Sequence, residues 1–125
     1  MPTPIKVVVS EAKDKLNIVY HSGQAFTLPA EFLRVNSPSA EVRGHGQGQE
    51  TLQYGKRDIK ITSLIKAGNY ALQIEFSDGH DSGIFSWDYL YELGENQQTL
   101  WPAYLKKLHD AKLSRDSDSQ VIKIY

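Results

Sequence analysis

The stretch GNYALQIEFSDGHDSGIFSW, residues 68–87, decides the fold. From Tyr70 to Ser77 it alternates apolar and polar side chains, which is the period of a half-buried β-strand. Asp78 and Gly79 then supply the residue pair favoured by a two-residue hairpin turn, in which both positions take positive φ. The stretch therefore predicts a β-hairpin centred on Asp78-Gly79.

The two-residue turn also fixes which residues face each other across the hairpin. It places Leu72, Ile74 and Ser77 opposite Phe85, Gly83 and His80. Because side chains alternate between the two faces of a strand, His80 is then expected on the polar outer face, with Glu75 and Ser82. The aromatic core lies on the other face in this interpretation.

Regular patterns on either side of the hairpin predict the remaining elements. β-Branched and alternating runs indicate strands over 5–9, 16–20, 24–28 and 57–65. Pro29 favours the first turn of a short helix over 29–34, and Ser86 is a good N-cap for a helix that Gly94 can end. A second amphipathic helix is expected over about 99–113.

These elements predict a single α+β domain over residues 1–113: an antiparallel β-sheet with hairpins, a short helix and two C-terminal helices. A Ser- and Asp-rich segment follows, so we expect residues 114–125 to form a flexible tail. The alternative for Val121 to Tyr125 is a late edge strand.

Composition excludes several classes of function. The chain has 125 residues, a net charge of -1 and no cysteine. It therefore has no overall basic field for nucleic acid or anionic lipid, and no thiolate for a disulfide, a zinc site or a nucleophile. No apolar run approaches the roughly 20 residues that span a bilayer, and the N-terminus lacks the pattern of a signal peptide. We expect a cytoplasmic protein that binds neither nucleic acid nor membrane.

Residues 36–49 are small, polar and glycine-rich, which predicts a long loop with one helical turn near Ala40. Long loops of this kind are often functional. Gly44-His45-Gly46-Gln47-Gly48 resembles a phosphate loop only superficially, because Gln49 replaces the third glycine of a dinucleotide fingerprint. Ser37 and Ser39 do not lie in the Gly-x-Ser-x-Gly setting of a hydrolase nucleophile.

Two histidines lie in glycine-flanked loops beside acidic residues. His45 follows Glu41, and His80 lies between Asp78 and Asp81. Such groups can bind a divalent cation if the fold brings them together, although no His-Glu-x-x-His or His-x-Asp/Glu motif is present. With the neighbouring polar side chains they form the candidate ligand or interaction site: His45, His80, Glu41, Asp78, Asp81, Ser37, Ser39 and Arg43.

Three segments together resemble a known family. They are LRVNSPSAEVRGHG (residues 33–46), GNYAL (68–72) and FSDGHDSGIFSWDYL (76–90). They are similar to the gamma-butyrobetaine hydroxylase-like N-terminal domain family, over roughly residues 5–93. The family also includes small stand-alone bacterial proteins of unknown function and fusions to Mrp-type iron–sulfur carrier ATPases.

In the eukaryotic hydroxylases of this family, the domain precedes a 2-oxoglutarate, iron(II) oxygenase domain and holds a structural zinc through three cysteines and one histidine. The resemblance matches that histidine to His80 and the cysteines to Ser37, Ser39 and Val42. Serine hydroxyls are poor zinc ligands and valine is none, so we expect the zinc to be lost and no cofactor to be bound. The chain after residue 113 is too short for an oxygenase domain, so the resemblance implies no hydroxylase activity.

Three hypotheses of function follow. The first is a non-catalytic binding or accessory domain, linked through the family's fusions to iron–sulfur or iron-enzyme maturation, with a carrier ATPase as its partner. The second is a metal-binding protein or small metalloenzyme that uses His45, His80 and the nearby acids. The third is a homodimer that buries exposed aromatics, for which Tyr54, Tyr89 and Tyr104 are the candidates.

Overall fold

The structure, a computed structural model, describes residues 2–44 and 48–117. Within these ranges the chain forms two three-stranded antiparallel sheets, two short helices and one long helix. The elements in chain order are β1 (Pro4–Val9), β2 (Lys15–Tyr20), β3 (Ala25–Pro29), α1 (Ala30–Val35), α2 (Ala40–Arg43), β4 (Ile61–Ala67), β5 (Ala71–Phe76), β6 (Gly83–Ser86) and α3 (Trp87–Asp110). The predicted α+β class is confirmed.

The first sheet has the order β1-β2-β3 and leads directly into α1. Leu16, Ile18 and Tyr20 alternate along β2 and are buried, as a strand with one face on the core requires. Pro29 ends β3 and precedes the helix, so its missing N–H falls where no helical hydrogen bond is needed. The predicted short helix is therefore confirmed, one residue later than expected.

The second sheet has the order β4-β5-β6, and an irregularity in β4 changes which side chains face the core. Ile61 pairs with Phe76, but Ser63 pairs with Glu75, so one extra residue lies between them on β4. An extra residue reverses the alternation of side chains beyond it. Ile61 is consequently buried while Ile65 is 45% exposed, although the sequence pattern predicts both on one face.

A single helix, α3, takes the place of the two predicted C-terminal helices. Its N-cap is Ser86, whose hydroxyl accepts the Tyr89 N–H, as predicted. Gly94 lies inside the helix and does not end it. A Cβ on Gly94 would come within 2.5 Å of Phe26 Cδ1, so this glycine allows a close approach of the Phe26 ring to the helix. The sequence pattern alone does not distinguish this role from a helix cap.

The core lies between the two sheets, α1 and α3. Its fully buried aromatic and aliphatic side chains come from the strands β2 to β6 and from α1 and α3, among them Tyr20, Phe32, Ile74, Phe85 and Leu90. The Tyr20 hydroxyl donates to the Trp87 carbonyl at 2.9 Å, which joins the first sheet to the start of α3.

Residues 114–117, the first part of the predicted tail, contact the rest of the domain. Gly55 N–H donates to Ser114 O, and Arg57 N–H donates to Arg115 O. The Arg115 side chain reaches the carboxylate of the buried Glu31. The remainder of the predicted tail, residues 118–125, lies outside the described residues, and so does the alternative edge strand.

None of the helices in the described part of the chain is long and apolar enough to cross a bilayer.

Candidate functional site

The turn of the β5–β6 hairpin determines where His80 lies. Gly79 N–H donates to Phe76 O, and Phe76 N–H donates to His80 O, each at 3.0 Å. Phe76 therefore faces His80 across a loop of three residues, 77–79. Gly79 takes a φ of +89°, as predicted, but Asp78 does not take positive φ. The turn has three residues, so the predicted turn of two residues is one residue too short.

This one-residue difference moves His80 to the other face of the hairpin. Further along the strands Leu72 pairs with Phe85 and Ile74 with Gly83, as predicted. His80 lies three positions before Gly83, but Phe76 lies only two positions after Ile74, so the β6 side of the hairpin has one extra residue and the alternation of its side chains is reversed there. His80 is consequently buried, with 6% of its surface exposed, and its ring lies 6.1 Å from that of Phe76. The predicted outer-face position of His80 is wrong.

A chain of hydrogen bonds joins the buried imidazole to the loop that carries α2. His80 Nδ1 lies 3.1 Å from Glu41 Oε2, and His80 Nε2 lies 2.8 Å from Ser37 Oγ. An ionised carboxylate only accepts, so a neutral His80 donates through Nδ1 and accepts at Nε2 from the Ser37 hydroxyl. Ser37 Oγ in turn accepts the Ser39 N–H at 3.3 Å. Both ring nitrogens of His80 and the Ser37 hydroxyl, which are the buried polar atoms of this chain, therefore have hydrogen-bond partners.

Burial lowers the pKa of His80, and the positive charge of Arg34 lowers it further. Hydrogen bonding to Glu41 and the charges of Glu41 and Asp78 act in the opposite direction without cancelling the effect. Because the pKa of His80 lies below its ordinary value, the imidazole is neutral at pH 7, which agrees with the neutral form assigned in the hydrogen-bonded chain.

The side chain of Asp78 also holds the turn in place. Its Oδ2 accepts from Arg34 Nε at 2.9 Å and Lys56 Nζ at 2.6 Å, and its Oδ1 accepts the His80 N–H at 3.1 Å. Burial raises the pKa of Asp78, but hydrogen bonds from Lys56 and from the His80 backbone, with the charge of Arg34, outweigh it and lower the pKa overall. This carboxylate is therefore engaged by cations of the protein itself.

The other predicted site residues are only partly brought together. Ser39 caps α2 and exchanges a hydrogen bond of 2.7 Å with Ser82, whereas Asp81 is exposed and contributes its carbonyl to Gln73 Nε2. Arg43 points to the opposite side of α2, where its guanidinium lies on the Tyr89 ring. His45 lies outside the described residues.

The aromatics proposed for self-association have different environments. Tyr54 is 46% exposed, but Tyr104 is buried and its hydroxyl donates to Gln53 O. Tyr89 is half-buried, and its hydroxyl donates to Asn36 O. Tyr89 and Tyr104 therefore already have partners within the chain.

The residues at the family's zinc position do not fit a zinc ion. Ser37 Oγ and His80 Nε2 are already hydrogen-bonded to each other, and the Val42 side chain is buried and has no donor atom. A structural zinc site needs four ligands, usually thiolates and imidazoles. Across residues 2–44 and 48–117 there is no cluster of three or more His, Cys, Asp or Glu side chains suited to a metal.

Reading the sequence missed several contributors to this site, among them Arg34 and Gly83. Arg34 holds Asp78, and Gly83 leaves room for Ser37, because a Cβ on Gly83 would lie 2.5 Å from Ser37 Oγ. The sequence signals that could have indicated Arg34 and Gly83 are a lone arginine in an apolar helix turn and a glycine at the beginning of a strand.

The comparisons with known proteins show the family and the fold of this chain. The model of the gamma-butyrobetaine hydroxylase-like N-terminal domain matches residues 7–91. The chain belongs to this family. Among solved structures, the gamma-butyrobetaine hydroxylase-like fold of this chain is similar to two proteins with NMR solution structures. One is 48% identical with a TM-score of 0.81, covering 99% of this chain and 98% of that one. The other is 40% identical with a TM-score of 0.80, covering 100% and 94%.

A third relative is a DUF971-family protein of unknown function from Acidithiobacillus ferrooxidans, known from a crystal structure. It is 29% identical with a TM-score of 0.62, covering 74% of this chain and 92% of that one. No curated protein matches the sequence. The gamma-butyrobetaine hydroxylase-like family and its fold are thus established.

Proposed function

We propose that this protein is a non-catalytic binding module of the cytoplasm that assists iron–sulfur or iron-enzyme maturation by docking on a carrier ATPase. The main observation in favour of a non-catalytic role is the burial of Ser37, whose exposed surface is 0%. The link to maturation rests on the fusions known in the family and not on chemistry at the site.

The order Ser37–His80–Glu41 resembles the hydrogen-bonded triad of a serine hydrolase. A nucleophilic hydroxyl must reach a substrate carbonyl, however, and Ser37 Oγ is enclosed by His80, Ser39 and the backbone of Gly83. The acid is the exposed member instead, since the Glu41 side chain is 70% exposed while that of His80 is 2% exposed. A catalytic triad needs its serine within reach of the substrate, whereas here the serine is buried and the acid is exposed. The arrangement therefore supports a structural role.

That structural role is to hold residues 36–43 against the β5–β6 hairpin. The serine–histidine–glutamate chain and the Ser39–Ser82 bond join the two segments where the family's zinc would do so. A set of neutral hydrogen bonds with one carboxylate needs no metal to be satisfied. We therefore infer that the surface around this corner is presented to a partner without a cofactor.

Partner binding is tested with purified components. The protein is mixed with a purified Mrp-type iron–sulfur carrier ATPase and the complex is measured by isothermal titration calorimetry, with an unrelated P-loop ATPase as the control. We expect saturable binding to the carrier alone, with a Kd on the order of micromolar, typical of a transient complex. Absence of binding at about 100 μM, or equal binding to the control ATPase, would reject the carrier as partner.

The metal-binding alternative and the catalytic alternative are tested on the isolated protein. Elemental analysis should find no stoichiometric metal, and a strong chelator should leave the melting temperature unchanged. A fluorophosphonate probe should not label Ser37. Stoichiometric zinc whose removal melts the protein would establish the metal-binding function in place of the one proposed.

A further inference from the structure

A cleft of about 450 Å³ is lined by Val42 and Arg43 of α2 but not by Glu41 or His80. Its walls are the end of α1, α2, segment 50–53 and the C-terminal half of α3. A volume of this size is within the range of small-molecule sites in proteins. The cleft is separate from the hydrogen-bonded corner described above, although α2 contributes to both.

The lining of the cleft is mixed, with apolar side chains contributed both by α3 and by the segments around it. Leu100, Ala103, Tyr104 and Lys107 recur at the spacing of one helical face, so α3 presents them together as one wall. The opposite wall is formed by Val35, Val42 and Leu52. Such walls favour an apolar ligand body over a highly polar one.

The charges at the rim are unequal. Arg43 and Lys107 are cationic, and Glu50 is the single acidic residue of the lining. Lys107 has no ion-pair partner among the residues that the structure describes. The rim therefore has a net positive charge that a ligand carrying one negative charge would balance.

Arg43 is held in place before any ligand arrives. Its Nη2 donates to the Tyr89 hydroxyl, and its guanidinium carbon lies 5.4 Å from the centre of the Tyr89 ring. The Tyr89 hydroxyl in turn donates to Asn36 O at 2.6 Å. A guanidinium has five N–H donors, so a fixed Arg43 keeps others for an anion at little additional entropic cost.

The opposite rim is fixed as well. The Tyr104 hydroxyl donates to Gln53 O at 2.8 Å, which holds segment 50–53 against α3. Burial raises the pKa of Tyr104 to about 12, so the phenol stays protonated and keeps this bond at neutral pH. The cleft is thus formed by tertiary contacts on both sides.

We propose that this cleft binds a small organic anion with an apolar chain, such as a short alkyl carboxylate. The chain lies between Leu100, Ala103 and Val42, and the carboxylate lies between Arg43 and Lys107. This site is independent of the carrier ATPase, so either assignment can fail without the other.

The test is an NMR titration of the ¹⁵N-labelled full chain with hexanoate, and with hexylamine as a probe of matched length and opposite charge. We expect saturating shifts at the amides of Val42, Arg43, Ala103 and Lys107 with hexanoate, with a Kd on the order of millimolar for so small a ligand. Hexylamine should give no saturating shift at these positions. Equal binding of the two probes, or no saturation with hexanoate at about 20 mM, would overturn the proposal.

Two variants and one matched control locate the site. Ala103→Trp fills the cleft from an exposed helix position and should abolish the shifts, with its own spectrum showing that it folds. Lys107→Gln should raise the Kd for hexanoate roughly fivefold, because it removes a charged hydrogen-bond donor. Lys106→Gln, which removes a cation paired with Asp110, should leave the Kd unchanged. Hexanoate shifts that survive Ala103→Trp, or equal weakening by both glutamine variants, would place binding elsewhere.

Discussion

Arg115 forms a two-pronged ion pair with Glu31, which lies 84 positions earlier in the chain. Arg115 Nε lies 2.8 Å from Glu31 Oε2, and Arg115 Nη2 lies 2.6 Å from Glu31 Oε1. The Glu31 side chain is 7% exposed, and the guanidinium lies 5.1 Å from the centre of the Trp101 ring. The carboxylate of α1 thus depends on a residue beyond the end of α3.

The first prediction concerns this ion pair. Arg115→Ala should lower the free energy of unfolding by about 2 kcal/mol, because it leaves the buried Glu31 carboxylate without its partner. Urea denaturation measures the difference. The control is Lys106→Ala, which breaks the exposed pair with Asp110 and should cost no more than about 0.5 kcal/mol. Equal, small losses in both variants would mean that residues 114–117 do not stabilise the domain.

The second prediction concerns Gly94 inside α3. Alanine is the better helix former by about 1 kcal/mol, so propensity alone predicts that Gly94→Ala stabilises the protein. The added Cβ would meet the Phe26 ring at about 2.5 Å, however, and overpacking of this kind costs about 1–3 kcal/mol. We expect net destabilisation in thermal melts, with Phe26→Leu in the Gly94→Ala background restoring part of the loss. A stabilised Gly94→Ala protein would contradict the close approach of ring and helix.

The third prediction separates the two residues at the hairpin turn. Gly79→Val should cost about 1–2 kcal/mol, because a β-branched side chain resists a φ of +89° even though the space around it is open. His80→Ala should cost about as much or more, since it leaves the buried Ser37 hydroxyl without an acceptor. Chemical denaturation measures both. A His80→Ala protein as stable as the parent would restore the outer-face position that the sequence predicts.

The fourth prediction is the pH dependence of stability that His80 confers. Its pKa is lower in the folded state than the value of about 6.5 in the unfolded chain, so the unfolded state binds the proton more tightly. The stability that results is fully present above pH 6.5 and is lost as the pH falls from there through the folded pKa.

Unfolding free energies measured by urea denaturation between pH 5 and pH 8 test this dependence. His80→Gln should remove the decline in the free energy of unfolding below about pH 6.5. The lowered pKa of Asp78 affects the free energy of unfolding only below about pH 4. A decline near pH 6 that persists unchanged in His80→Gln would assign it to another group.

Much of the fold could be predicted because its signals are local. Alternation along β5, the positive φ of Gly79 and the Ser86 cap each depend on residues within a few positions. The family resemblance likewise located the loop and the hairpin that meet at His80. The candidate site itself could be predicted only in part, because the pairing of His80 with Ser37 depends on whether the turn has two or three residues.

By itself, the sequence determined the α+β class, most strand positions and the absence of thiolates at the zinc position. Tertiary structure decided the face on which His80 lies, the continuation of α3 through Gly94 and the attachment of residue 115 to Glu31. The reason is physical: periodicity reports the backbone geometry of adjacent residues, while these three outcomes involve contacts with Ser37, Phe26 and Glu31. A close approach or a buried ion pair has its partner far along the chain, and no local pattern contains it.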